Sequence, residues 1–490
     1  MRFDLIGPGY AGFNSQWDAS RNVNLFPAHG AQGSKSEWVL LGTPGTILRF
    51  NVGVSPIRAM HPFGSALYVI SGNQLYSISS AGAVTAIPGA QISTIAGNVF
   101  MKDNALQSSG TGGNQLMIVD GANGYIWNPA TSTWSTISGG GWPVTATVGP
   151  TSLEYMDGYF VVGVTNSQAI YASNLYDGTT YTGLAFAYAQ SASDSVQAFV
   201  NMQEQLCIIK QYTTEFWYDT GIAPQVGLPF ARQTSAVIDY GTPAPASVSR
   251  GSGSIFMLAN RRSGDSPNFI GAVQILNDIP TVITPPAIVK QMEAWAPWSD
   301  VVAFCYEQDG HSFWQVTSPS ANQTFVYDAS IGDPSMAWHE RSTYVEGSFY
   351  STGRHVANCY AYFNGMHLVG DWSTGNIYEM RGDIYQDNGS PLIAVRTSQI
   401  IADKKGALNS VNLRRLILDV QTGYGGNVAF SWSDDGGNTW SADYVHSMRA
   451  SGDFRGVDPW MPLGQHPYGM IPRIAISDPV PRMIVGGYLE

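Results

Sequence analysis

Residues 66–76 read ALYVISGNQLY. Tyr68, Val69 and Ile70 make an apolar strand, Gly72-Asn73 turns the chain, and a second strand ends at Tyr76. Such residues suit a pleated, buried surface, and a short Gly/Asn or Asp-Gly turn is a strong hairpin signal. The unit recurs down the chain. QLMIVDGANGYIW (115–127) turns at Asp120-Gly121, and GYFVVGVTNSQAIYAS (158–173) near Asn166-Ser167. QLCIIKQYTTEFWY (205–218) ends in Phe216, Trp217 and Tyr218, and the unit at 254–276 has a longer turn through Gly264-Asp265. VAFCYEQDGHSFWQV (302–316) turns at Asp309-Gly310, and MHLVGDWSTGNIYEM (366–380) at Thr374-Gly375.

The leading strands centre on Tyr68, Met117, Phe160, Cys207, Phe256, Ala303 and Leu368, 43 to 49 residues apart until a longer last interval. Propeller blades of four strands repeat at about 40–50 residues. Asp157-Gly158 and Asn364-Gly365 also precede the third and seventh units, so these strands pair backward as well as forward. The expectation is an all-β fold: a six- or seven-bladed β-propeller over 51–390, with an extended N-terminal segment at 1–50. A denser β region at 391–490 reads as a further, sandwich-like domain, and the N-terminal segment is expected to pack either with it or with an adaptor protein in an assembly. An array of sandwiches or barrels is the competing reading. No sustained 3.6-residue apolar period occurs, so helices should be few and short.

Composition narrows the function. Only 12% of the 490 residues are charged, against about 25% in an ordinary soluble protein. Gly (54) and aromatics (12%) are abundant, and the net charge is −12. Disorder requires more charge and less hydrophobicity, helical bundles a different composition, and a basic nucleic-acid wrapper the opposite sign. The charge-free stretch between Arg58 and Lys102 is broken by Pro62 and Pro88, so it reads as strands and turns rather than a membrane span. The opening residues lack a basic region followed by an apolar one, so no secretory leader is expected. Cys207, Cys305 and Cys359 lie far apart without a CxxC, and read as buried reduced thiols.

Motifs for chemistry are sparse. Gly7, Gly9 and Gly12 spell G-x-G-x-x-G, but Pro8 removes an amide that a phosphate needs and no helix pattern follows. The eight histidines show no metal-binding spacing, and no metal or cofactor is expected. Ser433-Asp434-Asp435-Gly436-Gly437-Asn438-Thr439-Trp440 fits S-x-D-x-G-x-T-W. It resembles the Asp-box of sialidases and other propeller proteins, a structural turn whose signature residues here are Ser433, Asp435, Gly437 and Trp440. A single box without further catalytic motifs points away from glycoside hydrolysis, which needs two carboxyl groups about 5–5.5 Å apart in a retaining enzyme.

Asn24-Leu25-Phe26-Pro27, followed by Leu41-Gly42-Thr43-Pro44-Gly45, resembles the opening of the packaged-DNA stabilisation proteins of short-tailed bacteriophages. The segment Pro56-Ile57-Arg58-Ala59-Met60, the strand pair at 205–221 and Val326-Tyr327-Asp328-Ala329-Ser330 before Trp338 extend the resemblance in order along the chain. Asn24, Phe26, Pro27, Gly42, Thr43, Pro44 and Gly45 are its structural signature. The resemblance implies a non-enzymatic virion protein made in the host bacterial cytoplasm. It implies a tail hub or nozzle: a homohexameric ring below the head-to-tail adaptor, touching tail fibres or spikes and a needle or plug. Double-stranded DNA would pass through its lumen without sequence-specific binding. Acidic side chains are expected to face that lumen, and Arg-bearing strands such as Arg414-Arg415 to face partners. The rival functions are a propeller glycosidase and a glycan-binding protein acting on host surface polysaccharide.

Overall fold

The repeated hairpins fold into seven four-stranded antiparallel blades, five of them separate sheets and two parts of larger sheets. The computed structural model describes residues 2–3, 5–10, 14, 18–31, 33–106, 113–263, 266–402 and 410–490. Blade 1 comprises Ile57–Phe63, Ala66–Ser71, Gln74–Ser79 and Val84–Gln91. Blades 2 to 6 repeat the pattern over 100–136, 150–188, 196–238, 249–282 and 302–340. Blade 7 takes three strands from Ala357–Phe363, Met366–Asp371 and Asn376–Arg381, and its fourth from the N-terminal side, Gly45–Asn51. That last pairing is antiparallel, with Gly45 opposite Arg381 and Phe50 opposite Ile377. The first strands of blades 7 and 1 lie side by side and close the ring. The fold is therefore a β-propeller, and the count left open by the sequence is seven.

Packing explains why the strands read as unbroken apolar runs. Successive side chains of a strand point to opposite faces, and here both faces are buried. Leu116 and Ile118 pack toward blade 1, whereas Met117 and Val119 pack toward blade 3. A separate hydrophobic cluster fills each junction between neighbouring blades. The first-to-second turns at Asp157-Gly158 and Asn364-Gly365 have φ of 50° and 92°, and 51° and 77°. Positive φ at both positions is what a type I′ hairpin requires.

Two expectations shift. Six of the seven hairpins join the second and third strands of a blade, but residues 302–316 join the first and second strands of blade 6. Its Asp309-Gly310 turn is the strongest local signal, and the helix Pro286–Glu293 lengthens the approach to that blade. Counting from Trp314 instead replaces the uneven last intervals of 47 and 65 residues by 58 and 54. The N-terminal residues also contain a hairpin that the sequence concealed. Leu25–His29 pairs with Trp38–Gly42 across an eight-residue polar loop, without a two-residue turn signal. The turn at Gly264-Asp265 lies outside the described residues, as does Gly12.

The N-terminal residues are shared out. Arg21–Val23 runs parallel to Trp338–Glu340 of blade 6 and antiparallel to Ala394–Thr397. The blade 6 sheet thus continues through Ile471–Ile476, Asn427–Ser433 and Tyr444–Ser447. A second sheet contains the Leu25–His29/Trp38–Gly42 hairpin, Met483–Leu489 and Leu416–Val420. Leu25, Leu40, Leu418 and Ile484 of one sheet share a core with Phe430, Ile474 and Ile476 of the other. The result is a two-layer sandwich joined to the propeller.

Candidate functional site at the junction

Propeller and sandwich meet around Asn24. It is buried and sits at φ 52°. Its Nδ2 donates to the carbonyls of Ser342 and Ile393, both at 2.9 Å, and its Oδ1 accepts the Ser342 N–H at 3.0 Å. The Thr43 N–H donates to the Asn24 carbonyl at 3.1 Å. One side chain thereby ties the N-terminal strands to the exit of blade 6 and to the first strand of the sandwich.

The other signature residues extend this clasp. Phe26 meets His311 and Phe313 edge-on, at 5.0 and 5.4 Å between ring centroids. Pro27 is buried opposite Leu40. Gly42 lies against Arg482, and Thr43 and Pro44 are buried. Gly45 donates its N–H to the Ile384 carbonyl at 2.9 Å. A Cβ there would stand 2.5 Å from the Gln386 carbonyl oxygen and 2.6 Å from that of Ile384. Only glycine fits this approach.

The S-x-D-x-G-x-T-W turn follows Asn427–Ser433. Ser433 Oγ accepts the Gly437 N–H at 2.8 Å, and Asp435 Oδ1 accepts the Asn438 and Thr439 N–H groups at 3.0 and 2.8 Å. The Thr439 hydroxyl donates to Asp435 Oδ2 at 2.6 Å. Hydrogen bonds from Thr439 chiefly hold the Asp435 carboxyl down at about 2. Trp440 leaves the turn to stack on Arg473.

Asn24, Gly437 and Trp440 line one cavity of about 390 Å³. Phe26, Pro27, Gly42, Thr43, Pro44 and Gly45 do not reach it, and Ser433 and Asp435 stay within their turn. Sequence reading missed the residues that give the cavity its character. The Arg473 guanidinium lies 3.5 Å from the Tyr350 ring centroid and 3.9 Å from that of Trp440, and its Nε donates to Ser431 Oγ at 3.1 Å. Arg21 pairs with buried Glu340 at 2.6 Å and donates to Thr352 Oγ1 at 3.0 Å. The Tyr10 hydroxyl also donates to Glu340, and burial with that carboxylate raises the phenol far above its usual range. The partners of Arg21 and Arg473 lie far off in sequence, and the one signal was the presence of arginine in so uncharged a chain.

Rings, hydroxyls and guanidinium groups line this cavity. None of the described lining residues is Asp or Glu, and no cluster of three metal-ligating side chains occurs among the described residues. The Gly7-Pro8-Gly9 turn wraps an arginine: Arg396 donates to the carbonyls of Leu5 and Pro8 at 2.7 and 3.1 Å. All three cysteines are free. Burial pushes the Cys207 and Cys359 thiols up to about 12 and raises Cys305 further.

A sequence model of the phage stabilisation family, described as bacteriophage P22 Gp10, beta-propeller, matches residues 4–385. The chain belongs to the bacteriophage P22 Gp10 β-propeller family. It is thus a phage structural tail protein and a virion component. The match contains the Asn24 and Gly42–Gly45 signature and all seven blades, and it ends where the C-terminal sandwich strands begin. No curated protein matches the sequence. Among solved structures, the chain is similar to the Neurospora crassa Pan2 WD40 domain, at 10% identity and TM-score 0.39, over 66% of this chain and 88% of that one. U3-55K is similar at 10% identity and TM-score 0.38, over 69% and 99%. The exo-beta-1,3-galactanase of Phanerochaete chrysosporium gives 10% identity and TM-score 0.27, over 91% and 99%. Similarities this low carry no functional weight.

Proposed function

We propose that this Gp10-family chain is the tail hub, or nozzle. Six copies form a tube below the head-to-tail adaptor, retain the packaged DNA with a needle or plug, and conduct it during ejection. Tail fibres or spikes attach to the outside. The protein acts structurally, without catalysis or cofactor, and is made in the host cytoplasm before joining the virion. Family membership across residues 4–385 carries this reading.

Physical features support it. Between residues 59 and 193 only Lys102, Asp103, Asp120, Glu154, Asp157 and Asp177 are charged. Lys102 pairs with Glu154, and Asp103 with His61, each at 2.7 Å. Blades 1 to 3 therefore present a nearly uncharged side, with Leu184, Phe186 and Tyr188 exposed. Copies bearing −12 each repel one another, so contact between them favours such a side; interface centres are depleted in charge. Acidic side chains toward the lumen would keep DNA phosphates from sticking, whereas a basic wall would bind them strongly. Native mass spectrometry of the chain mixed with its adaptor ring tests the reading. Six copies per adaptor ring are expected; a chain that stays monomeric beside the adaptor contradicts it.

A further inference from the structure

The mouth of the propeller channel holds a second cavity, of about 620 Å³. It is formed by the starts of the first strands of blades 1, 2, 6 and 7 and by the turn entering blade 5. Arg354 lines it and is only 6% exposed. Its guanidinium lies 4.4 Å from the Trp372 ring centroid. Nη2 reaches Asn358 Oδ1 at a long 3.4 Å, and Nε has no partner among the described residues. Burial lowers this arginine to about 10.

No neighbouring carboxylate is bonded to it among the described residues. Asp300 and Asp371 act on Arg354 only through space. Asp371 is engaged by Ser373, Thr374 and Tyr378. Asp300 accepts from Ser320 through Oδ2, and its buried Oδ1 is unpartnered among the described residues. Arg58, the other arginine of the wall, gives its N–H groups to Thr94 Oγ1 and to the carbonyls of Gly72, Thr94, Ala96 and Gly97. A buried cation without a hydrogen-bonded counter-ion is costly, and a carboxylate offers a planar guanidinium two charge-assisted hydrogen bonds. The cavity wall also exposes two large apolar side chains, Ile95 (77%) and Trp372 (44%). A buried positive charge beneath an apolar rim complements an acidic side chain flanked by apolar ones.

We propose that the channel mouth binds an acidic peptide segment of a partner protein, its carboxylate on Arg354 and its flanking apolar residues on Ile95 and Trp372. This binding needs one chain only and is independent of ring formation. The test is isothermal titration of the full chain with acetyl-Leu-Glu-Leu-amide, its Gln counterpart, acetate and inorganic phosphate. The glutamyl peptide is expected to bind about ten-fold more tightly than the glutaminyl one. Arg354→Gln should abolish that preference with circular dichroism and Tm retained. Trp372→Ala should weaken both peptides alike. Arg354→Lys keeps the charge without the planar fork, and should show a reduced preference should the Gln variant not fold. Several results would overturn the proposal: equal affinity for the two peptides, a preference that survives Arg354→Gln, no binding of the glutamyl peptide at millimolar concentration, or acetate or phosphate binding as tightly as the peptide.

Discussion

Asn24 occupies a left-handed backbone conformation that Asn adopts more readily than most side chains. Asn24→Ala removes three side-chain hydrogen bonds between buried groups. At roughly 1 kcal/mol each, we expect a loss of about 3 kcal/mol in urea unfolding. Asp387 offers a cleaner test through pH. It is buried against Thr46, its Oδ2 is unpartnered among the described residues, and burial raises its carboxyl from the usual value near 4 to about 6. The folded state therefore holds this proton more tightly than the unfolded chain. Its contribution to stability is full below about pH 4 and falls as pH rises through 6. Asp387→Asn should match the wild type at pH 4 and exceed it at pH 8 by up to about 3 kcal/mol, from a shift of about two units. An identical difference at both pH values would refute this cause. The thiols give a third test. At the raised values of Cys207, Cys305 and Cys359 almost no thiolate exists at pH 8. Ellman's reagent should label none of them in the native protein and all three in guanidinium. Asn24 was visible in the sequence as part of a signature. Its partners were not, because Ser342 and Ile393 lie more than 300 residues away.

The blade strands were the most legible elements. Runs such as Leu116–Val119 are apolar throughout because each face meets a different neighbouring blade, and this two-sided burial is visible without coordinates. Strand Gly45–Asn51 was not legible as a blade strand, because its partner Asn376–Arg381 lies at the far end of the propeller. Gly45 is where this element is most vulnerable. The side chain of Gly45→Val would collide with the backbone of residues 384–386, a steric fault of the class that costs several kcal/mol. Hydrogen exchange should accelerate in 45–51 and 376–381 while blades 3 and 4 keep their protection. Uniform protection across all seven blades would show that this strand does not hold the ring closed. The sixth hairpin was displaced by one strand for a related reason. Its Asp309-Gly310 signal outweighs the longer turn after Ser318, and a turn signal does not say which pair of strands it joins.

At the scale of the molecule, the N-terminal residues close two structures at once. Strands between Arg2 and Gly42 enter the sandwich sheets, and Gly45–Asn51 completes the propeller. The long sequence separation of these pairings makes closure a non-local event. The low charge content acquires a location: it is concentrated in blades 1 to 3, opposite in character to the arginine-bearing junction. This asymmetry, added to membership of the P22 Gp10 family, is why we read the chain as a ring subunit. Electron cryo-microscopy of the intact virion tests that claim most directly. The account predicts six copies of this seven-bladed propeller around the tail axis below the adaptor, with uncharged blade faces in mutual contact and acidic groups toward the DNA. A single copy at a fibre tip, or a ring whose lumen is lined mainly by Lys and Arg, would contradict it.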